Sequence, residues 1–298
     1  GILKTKVAVL IALYLVYFAG SFGWIVEFIT QRHLGGESAF WANQAVSFNL
    51  NPPFAVSLII IIALLQLLPN FLASVLLIGC LIAFKSYAGV LVLATVGFLG
   101  IVDILFKKNY SLFTIFIFGG LMSTFLFLSN FEISTNFLII APFWFVNSMI
   151  DSPDRVGWTR LALSRIVGLS DKNWVKFFGA EGLSLAIFII GNLGIRFFAI
   201  FSLVKFKEIL RNRNYLFLAI LSFLSTSIPL VFIQTGNPWN TIQFFYYGMY
   251  VSSLVAGVVI SYLIFKLPRF FGLFIITTVI ILGPINSVVT ARGYLVNK

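Results

Sequence analysis

The sequence predicts an all-α polytopic transmembrane helical bundle of roughly nine spans, with interfacial helices on its outer face. Three observations carry that expectation. Hydrophobic residues make up 60% of the 298-residue chain and charged residues only 10%. Apolar runs of about membrane-spanning length recur along it, and the mean hydropathy of +1.05 excludes a soluble globule. Runs such as Ser57–Leu65 are apolar without alternation, unlike the in-and-out pattern of barrel strands.

Taken in order, the spans are expected at Val7–Val26, Pro52–Leu68, Phe71–Phe84, Ser86–Phe106, Ser111–Leu128, Gly182–Val204, Tyr215–Ile233, Phe244–Phe265 and Phe270–Thr290. Lys4 and Lys6 ahead of Val7–Phe18, with small residues at Ala19–Gly20–Ser21, mimic a signal peptide, but a retained first helix suits a chain with eight later apolar segments. Phe71–Phe84 rises only about 21 Å, short of a ~30 Å hydrocarbon core, so the turn at Lys85–Ser86–Tyr87 is expected below the outer surface.

Charge sets the orientation. Lys107–Asn109, Lys205–Asn214 and Lys266–Arg269 are short basic connections, and basic loops face the cytoplasm. The segment Asn136–Ile150 is short and interrupted by Pro142. If it crossed, Lys107–Lys108 and the Lys205–Arg213 cluster would fall on opposite sides. An interfacial or re-entrant helix at the outer surface keeps both inside, with the N-terminus in and the C-terminus out. The net charge of +11 therefore belongs to membrane orientation and anionic lipid, not to nucleic acid. The whole of residues 1–298 reads as a single transmembrane domain, within which 129–181 forms an outer-face segment with interfacial helices.

Function is expected to concentrate in the outer loops. Glu27–Asn51 carries Arg32, His33, Glu37 and Trp41, and Ser129–Glu181 holds five acidic and five basic residues. Glu37, after Gly35–Gly36, is placed to act as a base. Lys85 sits at a recessed helix junction, where an ammonium must snorkel, find a partner or meet an anion such as a lipid phosphate; Tyr87 stands beside it. Asp151 and Asp154 in DSPDR either cap a turn or share a divalent cation, the one cofactor the sequence suggests. Arg155, Arg160 and Arg165 recur every five residues, which does not form one helical face, yet can still reach phosphates. Arg196, between Gly191–Asn192–Gly194 and the basic cluster, reads as a structural residue bonded inside the bundle, or as a point on a transport path.

The stretch QTGNPWNTIQFFYYGMY, Gln234–Tyr250, breaks two apolar runs with Gly236, Asn237 and Pro238. Its rings and amides form either an aromatic belt with a helix cap or a site in which Trp239, Asn240 and Gln243 border a membrane cavity. The single Cys80 and single His33 exclude an intrachain disulfide and any site of several His ligands. There is no P-loop, GxSxG or zinc spacing, which argues against an ATP-driven pump and a serine hydrolase.

Lys85-Ser-Tyr-Ala-Gly, the segment Pro142–Leu163, GNLGIR at Gly191–Arg196 and NPWNTIQFFYY at Asn237–Tyr247 resemble a group of bacterial polytopic membrane proteins similar to the GT-C glycosyltransferase superfamily. The resemblance implies a multi-pass protein of the bacterial inner membrane that takes a sugar from a polyprenyl-phosphate donor. It implies a first-loop carboxylate as base or metal ligand, and basic residues, Lys85 among them, on the lipid phosphate. Glu27–Asn51 contains no Asp, so either Glu37 substitutes or the acidic loop lies upstream of Gly1 and this chain is a C-terminal portion. A transporter or flippase of lipid-linked sugars and a non-catalytic membrane scaffold are the alternatives.

Overall fold

A computed structural model describes residues 5–32, 39–129 and 138–296. It is helical almost throughout. The helices are α1 Lys6–Phe18, α2 Gly23–Gln31, α3 Gln44–Leu50, α4 Pro52–Leu67, α5 Phe71–Phe84, α6 Ser86–Lys107, α7 Ser111–Ser129, α8 Trp144–Asp151, α9 Thr159–Ser170 and α10 Trp174–Leu193. A 3-10 stretch, Gly194–Lys205, continues α10 into α11 Phe206–Arg211 and α12 Arg213–Val231. A second 3-10 turn, Pro238–Ile242, precedes α13 Gln243–Lys266, α14 Arg269–Leu282 and α15 Ile285–Val296. Two short strands, β1 Leu138–Ile140 and β2 Phe232–Gln234, pair antiparallel with Ile139 opposite Ile233.

Five of these helical stretches are long and apolar enough to cross a membrane, and two bent pairs raise the number to seven. Phe71–Phe84 and Ser111–Phe127 are shorter apolar helices. The chain is therefore a multi-pass helical membrane protein. The expected first span is bent by 50° between α1 and α2, and α3 meets α4 at 102°. The span expected from Gly182 begins earlier, at Trp174, because the Asn173 side chain caps it by accepting from the Lys176 amide at 3.1 Å. The last expected span divides at Gly283–Pro284, since proline lacks the amide needed to continue the ladder.

The basic ends gather together. Lys107 Nζ lies 2.7 Å from Asp103 Oδ1, and Arg213 Nη2 lies 3.8 Å from Asp103 Oδ2, so the end of α6 meets the start of α12. Thr5 and Ser261 hydrogen-bond at 3.3 Å, which brings the start of α1 to the last turns of α13. Residues 138–151 do not cross: β1 pairs with β2 at the opposite end of α12, and Phe143 N donates to Leu230 O at 2.7 Å.

Three buried clusters hold the bundle. One joins α4, α5, α6, α7, α12 and α13 around Leu64, Val92 and Tyr247. The second lies under the site end, where Phe40, Phe145, Met149, Phe188 and Phe245 meet. The third packs α1 against α13 and α14 through Leu15, Ala256 and Val279. Gly194, with φ at +56°, lets the α10 break press on the Gly20 carbonyl, where any Cβ would overlap it.

Candidate functional site

The segment before α3, α8 and the turn before α13 each deliver a tryptophan to one place. Trp41 and Trp239 lie 4.0 Å apart between ring centroids, Trp144 is 5.3 Å from Trp239, and Trp41 is 6.2 Å from Trp144. The Trp41 indole Nε1 donates to Phe145 O at 3.0 Å, so burial of its polar edge leaves no donor unmet. The Arg155 guanidinium stacks 3.6 Å from the Trp41 ring and 5.8 Å from Trp239. Burial lowers the Arg155 pKa, and the charge of Asp154, whose carboxylate is 3.4 Å away, opposes that shift.

A cleft of about 230 Å³ opens beside this cluster. It is lined by Trp41, Tyr246 and the stretch of α3 and its caps that carries Asn43, Val46, Ser47, Leu50 and Asn51. Asn43, Ser47 and Asn51 recur every four residues, so they share one face of α3 and its caps. Asn43 Oδ1 accepts from the Val46 amide at 3.4 Å and Asn51 Oδ1 from the Phe54 amide at 3.3 Å, capping α3 and α4. Buried Asn43 Nδ2 has no partner among the described residues.

The Lys85 junction belongs to the same end of the bundle. Lys85 is half-buried and extended between α5 and α6, its Nζ 5.5 Å from the Tyr87 ring centre. Burial pushes its ammonium below the ordinary lysine pKa. Tyr87 Oη donates to Gln234 Oε1 at 3.0 Å, and its ring meets Phe244 edge-on at 4.9 Å. The Gln234 amide in turn donates to Thr241 Oγ1 at 2.7 Å. Gln243 Nε2 donates to Asn240 Oδ1 at 3.2 Å.

The other expected residues separate. Both Asp151 oxygens accept from Arg165 Nη2, at 2.7 and 2.6 Å, while Asp154 pairs with Arg155. Each of the two carboxylates is thus paired with an arginine. Among the described residues no group of three His, Cys, Asp or Glu side chains is arranged to hold a metal. Arg160 is exposed on α9, away from the tryptophan cluster's contacts. Glu37 lies outside the described residues.

Arg196 is fully buried. Its Nε donates to Ser253 Oγ at 2.8 Å, and Nη2 donates to Leu15 O at 3.2 Å, Ala19 O at 2.5 Å and Gln44 Oε1 at 2.7 Å. Ser253 stands ten residues into α13, about 15 Å from its start, so this charge lies deep in the bundle. The carbonyl end of α1 offsets it through the helix dipole.

Sequence reasoning missed Asn43, Ser47, Asn51 and Tyr246. The four-residue spacing was the available signal, but α3 is too short for its period to stand out. No family model, curated protein or solved structure matches the chain.

Proposed function

We propose that the chain is a GT-C-like membrane glycosyltransferase that takes a sugar from a polyprenyl-phosphate donor and passes it to a lipid or cell-surface acceptor at the bacterial inner membrane. On this reading all nine apolar segments cross, including the short α5 and α7. The observation that carries it is Lys85. It is a half-buried ammonium at a helix junction, and no carboxylate pairs with it among the described residues. A desolvated cation without a counter-ion favours an anion, and a lipid phosphate is the anion a membrane surface supplies. The acceptor hydroxyl attacks the anomeric carbon, the bond to the phosphate oxygen breaks, and polyprenyl phosphate leaves with its charge on Lys85. Glu37 is the proposed base.

The test is polyprenyl-phosphate binding by the purified chain in nanodiscs. One charge-assisted contact corresponds to about 10–150-fold in affinity, so Lys85→Met weakens binding by that factor and Lys85→Arg retains much of it. Equal binding by Lys85→Met removes the phosphate role. Transfer of labelled sugar from the donor to a lipid acceptor then tests the reaction.

One observation favours a second reading, a transporter of lipid-linked sugars. Broken helices at α1–α2, α10 and α14–α15 converge near Arg196, where Gly20 N donates to Gly283 O at 2.8 Å and Phe22 N to Gly191 O at 2.8 Å. Such breaks at depth are a feature of transport sites. Movement of a lipid-linked sugar across liposomes with its glycosidic bond intact would select this reading.

A further inference from the structure

The cleft beside the tryptophan cluster is outlined by Trp41, Tyr246 and the row Asn43, Ser47, Asn51. Among the described residues, no charged side chain lines it. A charged ligand group would lose its water there without gaining a counter-ion, which is costly. A purely apolar ligand would cover the Ser47 hydroxyl and the side-chain N–H groups of Asn43 and Asn51 without answering them, also at a cost. What suits both constraints is an uncharged ring with hydroxyls at its edge and apolar C–H faces for the aromatic walls. The volume of about 230 Å³ lies below the ~300–1,000 Å³ usual for larger ligands, so one ring is the limit. Asn43 lines the cleft, and its buried Nδ2, without a partner among the described residues, is a donor that a ring hydroxyl can satisfy.

We infer that this cleft is a subsite for a single uncharged hexose, which selects against uronic acids and other anionic sugars. This specificity rests on the transferase or transport reading for its biological meaning, but its chemistry does not depend on Lys85. Arg155 stays outside as a stacking partner of Trp41, already paired with Asp154, so it does not make the cleft anionic-selective.

The experiment is saturation-transfer NMR on the full chain in nanodiscs, with methyl β-glucoside, methyl β-glucuronide and cyclohexylmethanol as probes. The glucoside is expected to give the strongest transfer, with little from the other two. Ser47→Leu, which fills the cleft, abolishes that signal, and the milder Ser47→Ala weakens affinity about fivefold, the scale of one uncharged hydrogen bond. Undiminished signal in both Ser47 variants, or glucuronide or cyclohexylmethanol binding as strong as glucoside, overturns the subsite. If the parent binds polyprenyl phosphate but no glucoside, the subsite fails while the donor-phosphate reading stands. If it binds glucoside but no polyprenyl phosphate, the transferase reading fails and the subsite stands.

Discussion

Arg196 reaches Gln44 with a 2.7 Å hydrogen bond across the core, and Gln44 is the neighbour of Asn43 in the cleft. Gln44 Nε2 also lies 3.5 Å from Val16 O, so the first turn of α3 is tied to both Arg196 and α1. The helix that carries Ser47, with Asn43 and Asn51 as its caps, is thereby anchored to the buried charge.

Replacing Arg196 tests that anchor. Arg196→Met leaves Ala19 O, Gln44 and Ser253 each short of a donor, at about 1–3 kcal/mol for a buried group left unsatisfied. A clear fall in the thermal midpoint in detergent is expected, with partial recovery in Arg196→Lys. An unchanged midpoint for Arg196→Met would show that the breaks in α1 and α10 hold without it.

Topology is the next prediction. The Asp103–Arg213 contact places the ends of α6 and α12 on one side. Cysteines near Asn109, Asn212 and Pro268 should label from the cytoplasm, and ones near Ser152 and Asn237 from outside. Opposite labelling at Asn109 and Asn212 contradicts the arrangement.

The segment from α8 to α10 should resist protease added from outside. Asp151 and Arg165 clamp α8 to α9, and Glu181 Oε1 on α10 lies 3.8 Å from Arg165 Nη1. Asp151→Asn removes a partly exposed pair worth about 1 kcal/mol or less after solvent screening, so cleavage accelerates only a few-fold. Rapid cleavage of the parent would show that this segment does not fold on the bundle.

Lys85 carries a pH dependence. Its pKa is lowered by burial, so anion binding, which needs the ammonium, is lost as pH rises through that lowered value, before the ordinary 10.5. Without ligand the sign reverses. The unfolded chain holds the proton longer, so the contribution of Lys85 to apo stability rises with pH over the same window. Lys85→Arg should move the binding loss to higher pH; a coincident profile in both proteins assigns the titration elsewhere.

The Trp41–Arg155 stack is worth about 0.5–2 kcal/mol. Trp41→Ala should lower the thermal midpoint more than Trp41→Phe, which keeps a π face. Equal effects would mean that the indole Nε1 bond to Phe145 O matters more than the stack.

The sequence by itself determined that the chain is helical and membrane-crossing, because long apolar runs must satisfy their backbone internally in lipid. Charge parity between Lys107 and Arg213 was enough to keep residues 138–151 at one end, and the Gly236–Pro238 break marked the start of α13. Tertiary structure alone decided which faces meet. Lipid is as apolar as a protein core, so a helix such as α13 shows nearly the same chemistry toward both, and its inward side leaves little periodic trace. Trp41, Arg155 and Trp239 are brought together from distant parts of the chain by such faces. The break after α1 also had no proline to announce it; the Arg196 guanidinium fills the gap by donating to Ala19 O, at the end of α1, and to Leu15 O.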